Sequence, residues 1–147
     1  MLRVKPQTYI DTSVWCAFCF NEIEVPAAKH WLANAELDDA ATAVWTLTEF
    51  ASAASQKLRA KNRNKASVAQ AVKSFDNVVS MTHQFDVMAD DFLHAAELCS
   101  TSRTGLRAGD ALHLAVALRR DCKFLASLDD VINGSAVQLG LELVKFD

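Results

Sequence analysis

Residues 111–118, Ala-Leu-His-Leu-Ala-Val-Ala-Leu, hold one polar side chain, a histidine, among apolar ones. A helix with that sequence has no solvent face, so it must be buried over most of its circumference. The rest of the chain must therefore be organised around it. The residues leading into it are different: Arg107, Gly109 and Asp110. Gly109 suits the N-cap, and an acid in the first turn suits the positive end of the helix dipole. Capping accounts for Asp110 taken alone. It leaves open why Asp11, Glu49 and Asp129 stand at comparable junctions.

The chain of 147 residues suits a single domain, 1–147, long enough to bury a real core. Half the residues are apolar and only four are Gly and two Pro, which favours ordered structure. No apolar run is long enough for a bilayer and no signal-peptide pattern is present, so a cytoplasmic protein is expected. The net charge of −3 supplies no global attraction to nucleic acid, and any such binding must be local.

Along the chain, strands and helices alternate. Thr8-Tyr9-Ile10 reads as a short buried strand ended by Asp11. Thr12 or Ser13 would cap a helix carrying Val14, Trp15, Phe18 and Cys19. Pro26 fits the first turn of a helix to about 36, with Ala27, His30, Trp31 and Ala35 inward. A second strand is expected over 41–45. Thr46-Leu47-Thr48-Glu49 then forms a capping-box sequence, with Thr46 as N-cap and Glu49 reaching back, and the helix continues through Phe50, Ala53, Ala54 and Leu58. Lys57, Arg59, Lys61, Arg63 and Lys65 run from that helix into a turn. Their alternation fits no single helical face, so they read as a solvated hairpin tip in preference to a phosphate-tracking finger. A helix over 66–79 carries Val68, Ala71, Val72 and Phe75. A strand over 81–85 and a helix over 87–99 follow, the latter with Ala89, Phe92, Leu93 and Ala96 inward. After the central helix come a strand at 123–126, a helix opened by Ser127-Leu128-Asp129-Asp130, and a last strand at 142–145 approached through Gly140.

This alternation predicts an α/β sandwich around a mainly parallel sheet. Right-handed crossovers in such a sheet gather strand C-termini and helix N-termini at one edge, where ligands bind. Asp11 ends a strand, and Glu49, Asp110 and Asp129 open helices, so all four can meet there. Carboxylates packed together raise one another's pKa and destabilise the fold unless a cation intervenes. The set contains no Cys or His, and such hard oxygen donors suit Mg2+ or Mn2+, the ions of phosphoryl chemistry.

These residues resemble the PIN-domain ribonucleases, and within them the toxin subunits of VapBC-type toxin–antitoxin pairs. Tyr9-Ile10-Asp11-Thr12-Ser13 is similar to that family's opening signature, Thr48-Glu49-Phe50 to its second acid, and residues 107–115 to its most specific motif. Ser127-Leu128-Asp129 and Leu139-Gly140-Leu141 match its C-terminal pattern. The resemblance implies a three-layer α/β/α sandwich with a five-stranded parallel sheet. It implies a catalytic metal site of Asp11, Glu49, Asp110 and Asp129, with Thr12 and Ser127 as hydroxyls bracing the acids. Asp129 is preferred to its neighbour Asp130 on its spacing from Ser127. The implied activity is endonucleolytic hydrolysis of RNA leaving a 5′-phosphate. The implied partners are a second copy of the chain and a small antitoxin whose tail covers the site.

Three further readings compete. One is a PIN-like binding or regulatory module without turnover. A second is a phosphoacceptor receiver, for which neither an acceptor aspartate ending a central strand nor a later strand-ending lysine is found. The third is a thiol–disulfide oxidoreductase, since Trp15-Cys16-Ala17-Phe18-Cys19 resembles a Trp-Cys-x-x-Cys motif; neither Pro6 nor Pro26 suits the cis-proline that fold needs. Cys99 and Cys122 complete no zinc-ligand spacing. His113 reads as a helix-packing histidine with a hydrogen-bonded ring in preference to a metal or proton-transfer group. Trp15, Phe18, Phe20 and Trp31 read as core, with some forming a groove for a partner helix.

Overall fold

The protein is described from a computed structural model covering residues 5–60 and 64–147. Thr8–Ile10 (β1), Ala40–Ala43 (β2), His83–Phe85 (β3), Phe124–Ala126 (β4) and Glu142–Leu143 (β5) form one sheet in the order β3-β2-β1-β4-β5. Every pairing is parallel, with Tyr9 opposite both Ala41 and Leu125. Helices Thr12–Cys19 (α1), Pro26–Asn34 (α2), Val44–Arg59 (α3), Lys65–Val79 (α4), Ala89–Thr101 (α5), Ala108–Arg119 (α6) and Asp130–Gln138 (α7) cover it. No helix among the described residues is long and apolar enough to cross a membrane.

The inner strands alternate sides with a period of two, so each face feeds its own core. Tyr9, Ala41, Ala43 and Leu125 pack with Ala95, Leu98, Leu112, Leu114 and Ile132, from α5, α6 and α7. Ile10, Ala40 and Ala126 face the other way and meet Val14, Trp15, Leu32, Phe50 and Phe75, from α1 to α4. The result is the expected three-layer sandwich. Residues 111 to 117 of α6 are all buried, as their composition requires. Strand order reverses between β1 and β4, where crossovers leave in opposite directions and open a crevice at the strand C-termini.

Several local expectations are corrected. Asp11, rather than Thr12 or Ser13, is the N-cap of α1 and accepts from the Ser13 N–H. The capping box at Thr46 does not form, because α3 starts two residues earlier and Ala43 precedes it without a side-chain cap. Thr46 is buried and pairs with Thr42, 2.7 Å away, which releases Glu49 for other partners. Arg107, not Gly109, holds the N-cap position of α6. Helix α2 ends at Asn34 and buries Ala28 and Leu32, leaving His30 exposed.

The largest departure is α5, which buries Asp91, Ala95 and Leu98 and turns Phe92 and Leu93 outward, 57% and 69% exposed. The cause is Arg119 on α6. Its guanidinium donates to both oxygens of Asp91, at 2.6 and 2.9 Å, and the pair fixes the rotation of α5. Within the basic run, Lys57 and Arg59 finish α3 and Lys65 opens α4. Lys61 and Arg63 lie outside the described residues, as does the start of the polar lead-in.

Candidate active site

The junctions after β1 and β4 lie side by side at the sheet's C-terminal edge, and two serines stitch them together. Asp11 is almost fully buried there. Its Oδ1 accepts from the Ser13 N–H at 3.0 Å and the Ser13 hydroxyl at 2.5 Å, and its Oδ2 from the Ser127 hydroxyl at 2.7 Å. Each serine also accepts from the β4–α7 junction: the Leu128 N–H meets Ser13 Oγ at 2.9 Å, and the Asp129 N–H meets Ser127 Oγ at 3.0 Å. Burial pushes the Asp11 pKa up. The charge of His113 and the hydrogen bonds of Ser127 and Ser13 return part of that shift.

Asp129 is the N-cap of α7, its Oδ1 accepting from the Val131 and Ile132 N–H groups at 2.8 and 3.1 Å. Asp130, in the first turn, is exposed. Glu49 projects from the second turn of α3 toward α1 and α6. Its Oε1 accepts from the Thr12 hydroxyl at 2.6 Å and from His113 Nε2. Burial would raise its pKa, but the hydrogen bond and charge of His113, followed by Thr12, hold it below the ordinary range. Its Oε2 is the atom that a Cβ added to Gly109 would meet, at 3.1 Å. A Cβ at this position would crowd the carboxylate, so a glycine eases the close approach of the start of α6 to Glu49.

Asp110 is the acid left without a hydrogen-bonding partner among the described residues. Its carboxyl is raised from 3.8 to about 6, by burial first and then by the charges of Asp129, Asp11 and Glu49, with His113 opposing. Asp129, Asp11 and Glu49 thus all act on Asp110 across the crevice. As their side chains are placed, no three described His, Cys, Asp or Glu groups form a ready metal cage. The donor chemistry nevertheless fits a hard divalent cation: carboxylate oxygens only, with excess negative charge at the unpartnered Asp110.

Thr12 donates to Glu49 and Ser127 to Asp11. Ser13 and Tyr9 were not expected to take part. The adjacency of Ser13 to Asp11 offered a signal for the first, whereas Tyr9 meets His113 only through the fold. The paired thiols are ill-suited to redox exchange, because burial, with help from Glu22 at Cys16, pushes Cys16 up to about 12 and burial pushes Cys19 up to about 11. Thiolate attack needs the opposite shift. Of the aromatics, Trp15 is fully buried against Phe75, while Phe18, Phe20 and Trp31 are half-buried.

Comparison with known proteins agrees with this architecture. The profile of the PIN domain family matches residues 8–137. Among curated protein sequences, none matches. The chain is similar in structure to PAE2754 from Pyrobaculum aerophilum, with a TM-score of 0.71 at 16% identity over 97% of this chain and 93% of that one. It is similar to VapC20 from Mycobacterium tuberculosis, described as a toxin cleaving the sarcin–ricin loop, with a TM-score of 0.67 at 18% identity over 87% and 94%. It is also similar to VapBC2 from Rickettsia felis bound to a fragment of promoter DNA, with a TM-score of 0.63 at 16% identity over 95% and 98%.

Proposed function

Because the chain belongs to the PIN domain family, we propose that it is a Mg2+- or Mn2+-dependent endoribonuclease, the toxin of a VapBC-type pair. The observation that carries this reading is the raised carboxyl of Asp110, which burial and then the charges of Asp129, Asp11 and Glu49 push up to about 6. Separate helix caps need no such arrangement, and a cation would relieve it.

Asp110, the free oxygens of Glu49 and Asp129, and the buried Asp11 would hold the ion. When bound, the ion eases deprotonation of water and offsets charge on the scissile phosphodiester. The remaining work falls to the protein. Ser13 and Ser127 fix Asp11 through both oxygens, and Thr12 and His113 fix Glu49, so neither carboxylate must reorganise as substrate arrives. A bound cation would favour the ionised form of Asp110, offsetting the burial and the neighbouring charges that raise its carboxyl. The described cations Arg103 and Arg107, just before α6, are available to phosphate.

The partners in this proposal are cellular RNA, a second copy of the chain and a small antitoxin, all in the cytoplasm. The antitoxin is supported by the solved structures similar to this chain, several of which are toxin–antitoxin complexes. The test is cleavage of total cellular RNA with Mn2+, Mg2+ or EDTA by the wild type and by Asp11→Asn, Glu49→Gln and Asp110→Asn. We expect metal-dependent cleavage and toxicity in the wild type and neither in the variants. Wild-type protein that cleaves nothing and is harmless would favour the binding module, and variants as active as wild type would remove the four acids from the chemistry.

A further inference from the structure

His113 is enclosed in α6, 1% exposed, yet both its ring nitrogens have partners. The Tyr9 hydroxyl lies 2.6 Å from Nδ1, and Tyr9, itself fully buried, accepts the Ala43 N–H at 3.2 Å. Nε2 meets Glu49 Oε1 and lies 3.3 Å from Thr12 Oγ1. An ionised carboxylate only accepts, so the hydrogen between His113 and Glu49 belongs to Nε2 whether the ring is neutral or charged. With both nitrogens engaged and the ring sealed from solvent, His113 is neither a metal ligand nor a proton shuttle to water.

We propose that His113 is a positioning residue for Glu49: together with Thr12 it saturates Oε1, so that Oε2, which lies over Gly109, is the oxygen presented to the cation, while Tyr9 anchors the ring from the sheet. This rests on the metal-dependent reading of the site. The sheet core is thereby connected to a working carboxylate through a line of groups from β1 to α6 to α3. A buried polar network of this kind stays in one arrangement because every alternative leaves a group unpaired. Rotation of Glu49 away from His113 would strand Nε2 in the interior.

The test uses the whole chain without metal and then with Mn2+ alone. In metal-free wild type, nitrogen NMR of the histidine ring should show Nε2 protonated; a bare Nε2 overturns the proposal and requires no variant. His113→Met, which keeps volume but not the donor, should weaken Mn2+ binding by about 10- to 100-fold. It should also lower kcat on RNA more than it changes KM. His113→Gln, whose side-chain amide can donate near the Nε2 position, should recover most of the loss. Tyr9→Phe, which keeps the shape and frees the ring, should fall between wild type and His113→Met. A folded His113→Met that binds Mn2+ like wild type overturns the proposal, and if that variant fails to fold, an unchanged Tyr9→Phe does so. Glu49→Gln and the wild type frame the result. If wild type itself binds no Mn2+, the metal-dependent reading fails, and the ring spectrum alone still judges the His113–Glu49 link.

Discussion

Asp110 stores an electrostatic cost that can be measured without substrate. Its carboxyl titrates at about 6 in the fold against an ordinary 3.8. Below pH ~4 both the folded and unfolded chains hold this proton and the group costs nothing. As pH rises through about 6, the unfolded chain has already released it, whereas the folded chain must ionise against Asp129, Asp11 and Glu49. The metal-free protein should therefore lose stability over this window, on the order of 1 kcal/mol from Asp110 once solvent screening of this half-exposed carboxyl is allowed for. Asp11, also raised, contributes with the same sign; Glu49, lowered, contributes with the opposite one. Urea unfolding at a series of pH values should show wild type and Asp110→Asn diverging between about pH 4 and 7, with the variant the more stable at the upper end. Parallel curves would mean that the acids do not face one another.

The seating of α5 depends on one polar pair, and its sequence pattern points elsewhere. Phe92, Leu93 and Ala96 form a respectable apolar stripe, and such a stripe normally faces the core. Asp91 displaces it because a buried carboxylate held bidentately by Arg119, with a further hydrogen bond from the Met88 N–H at 2.8 Å, permits only one rotation of the helix. Asp91→Asn should cost about 2–3 kcal/mol, the penalty for leaving a charged partner poorly matched. Burial would raise the Asp91 pKa, but Arg119 and the Met88 N–H depress it. Its contribution is thus complete above the unfolded value near ~3.9 and fades as pH falls through the lower folded value. Phe92→Ser and Leu93→Ser should each change the stability of the isolated chain by no more than about 0.5 kcal/mol. Chemical denaturation compares the three, and a large loss in the serine variants with none in Asp91→Asn would reverse the orientation of α5.

The assembled sandwich makes metal binding and folding one equilibrium. The four acids come from elements far apart in sequence, so the unfolded chain presents no comparable site. Mn2+ at a hundredfold excess over Kd should stabilise the fold by ~2.7 kcal/mol. For a domain of this size each kcal/mol moves Tm by roughly 2–4 °C, so a rise of roughly 5–10 °C is expected. The rise should shrink in Asp110→Asn and Asp11→Asn and persist in Asp130→Asn, whose side chain is exposed outside the group. A thermal melt unmoved by millimolar Mn2+ in every variant would leave four unrelated acids and no common site.

Much of this organisation was legible in the amino-acid order. The apolar run after Asp110 could only be a buried helix, the strand–helix alternation implied a parallel sheet, and a parallel sheet gathers its junctions at one edge. Asp11, Asp110 and Asp129 were readable as junction acids for that reason, whereas Thr12 and Ser127 entered as bracing hydroxyls only through the resemblance to PIN-domain ribonucleases. Glu49 was readable as an acid of the set, although its local sequence favoured a capping box. Local pattern could not decide which of these two roles it takes. Thr46 turned inward to Thr42, and the freed carboxylate found His113, sixty-four positions away. Likewise Asp91 had to find Arg119 before α5 had a buried face, and Tyr9 had to pair across the sheet before His113 had a second partner. Hydrophobic period and capping are short-range properties that a chain carries in its own spacing. The pairing of buried polar groups is decided by which elements the fold brings together, because their desolvation cost is met only by partners distant in sequence.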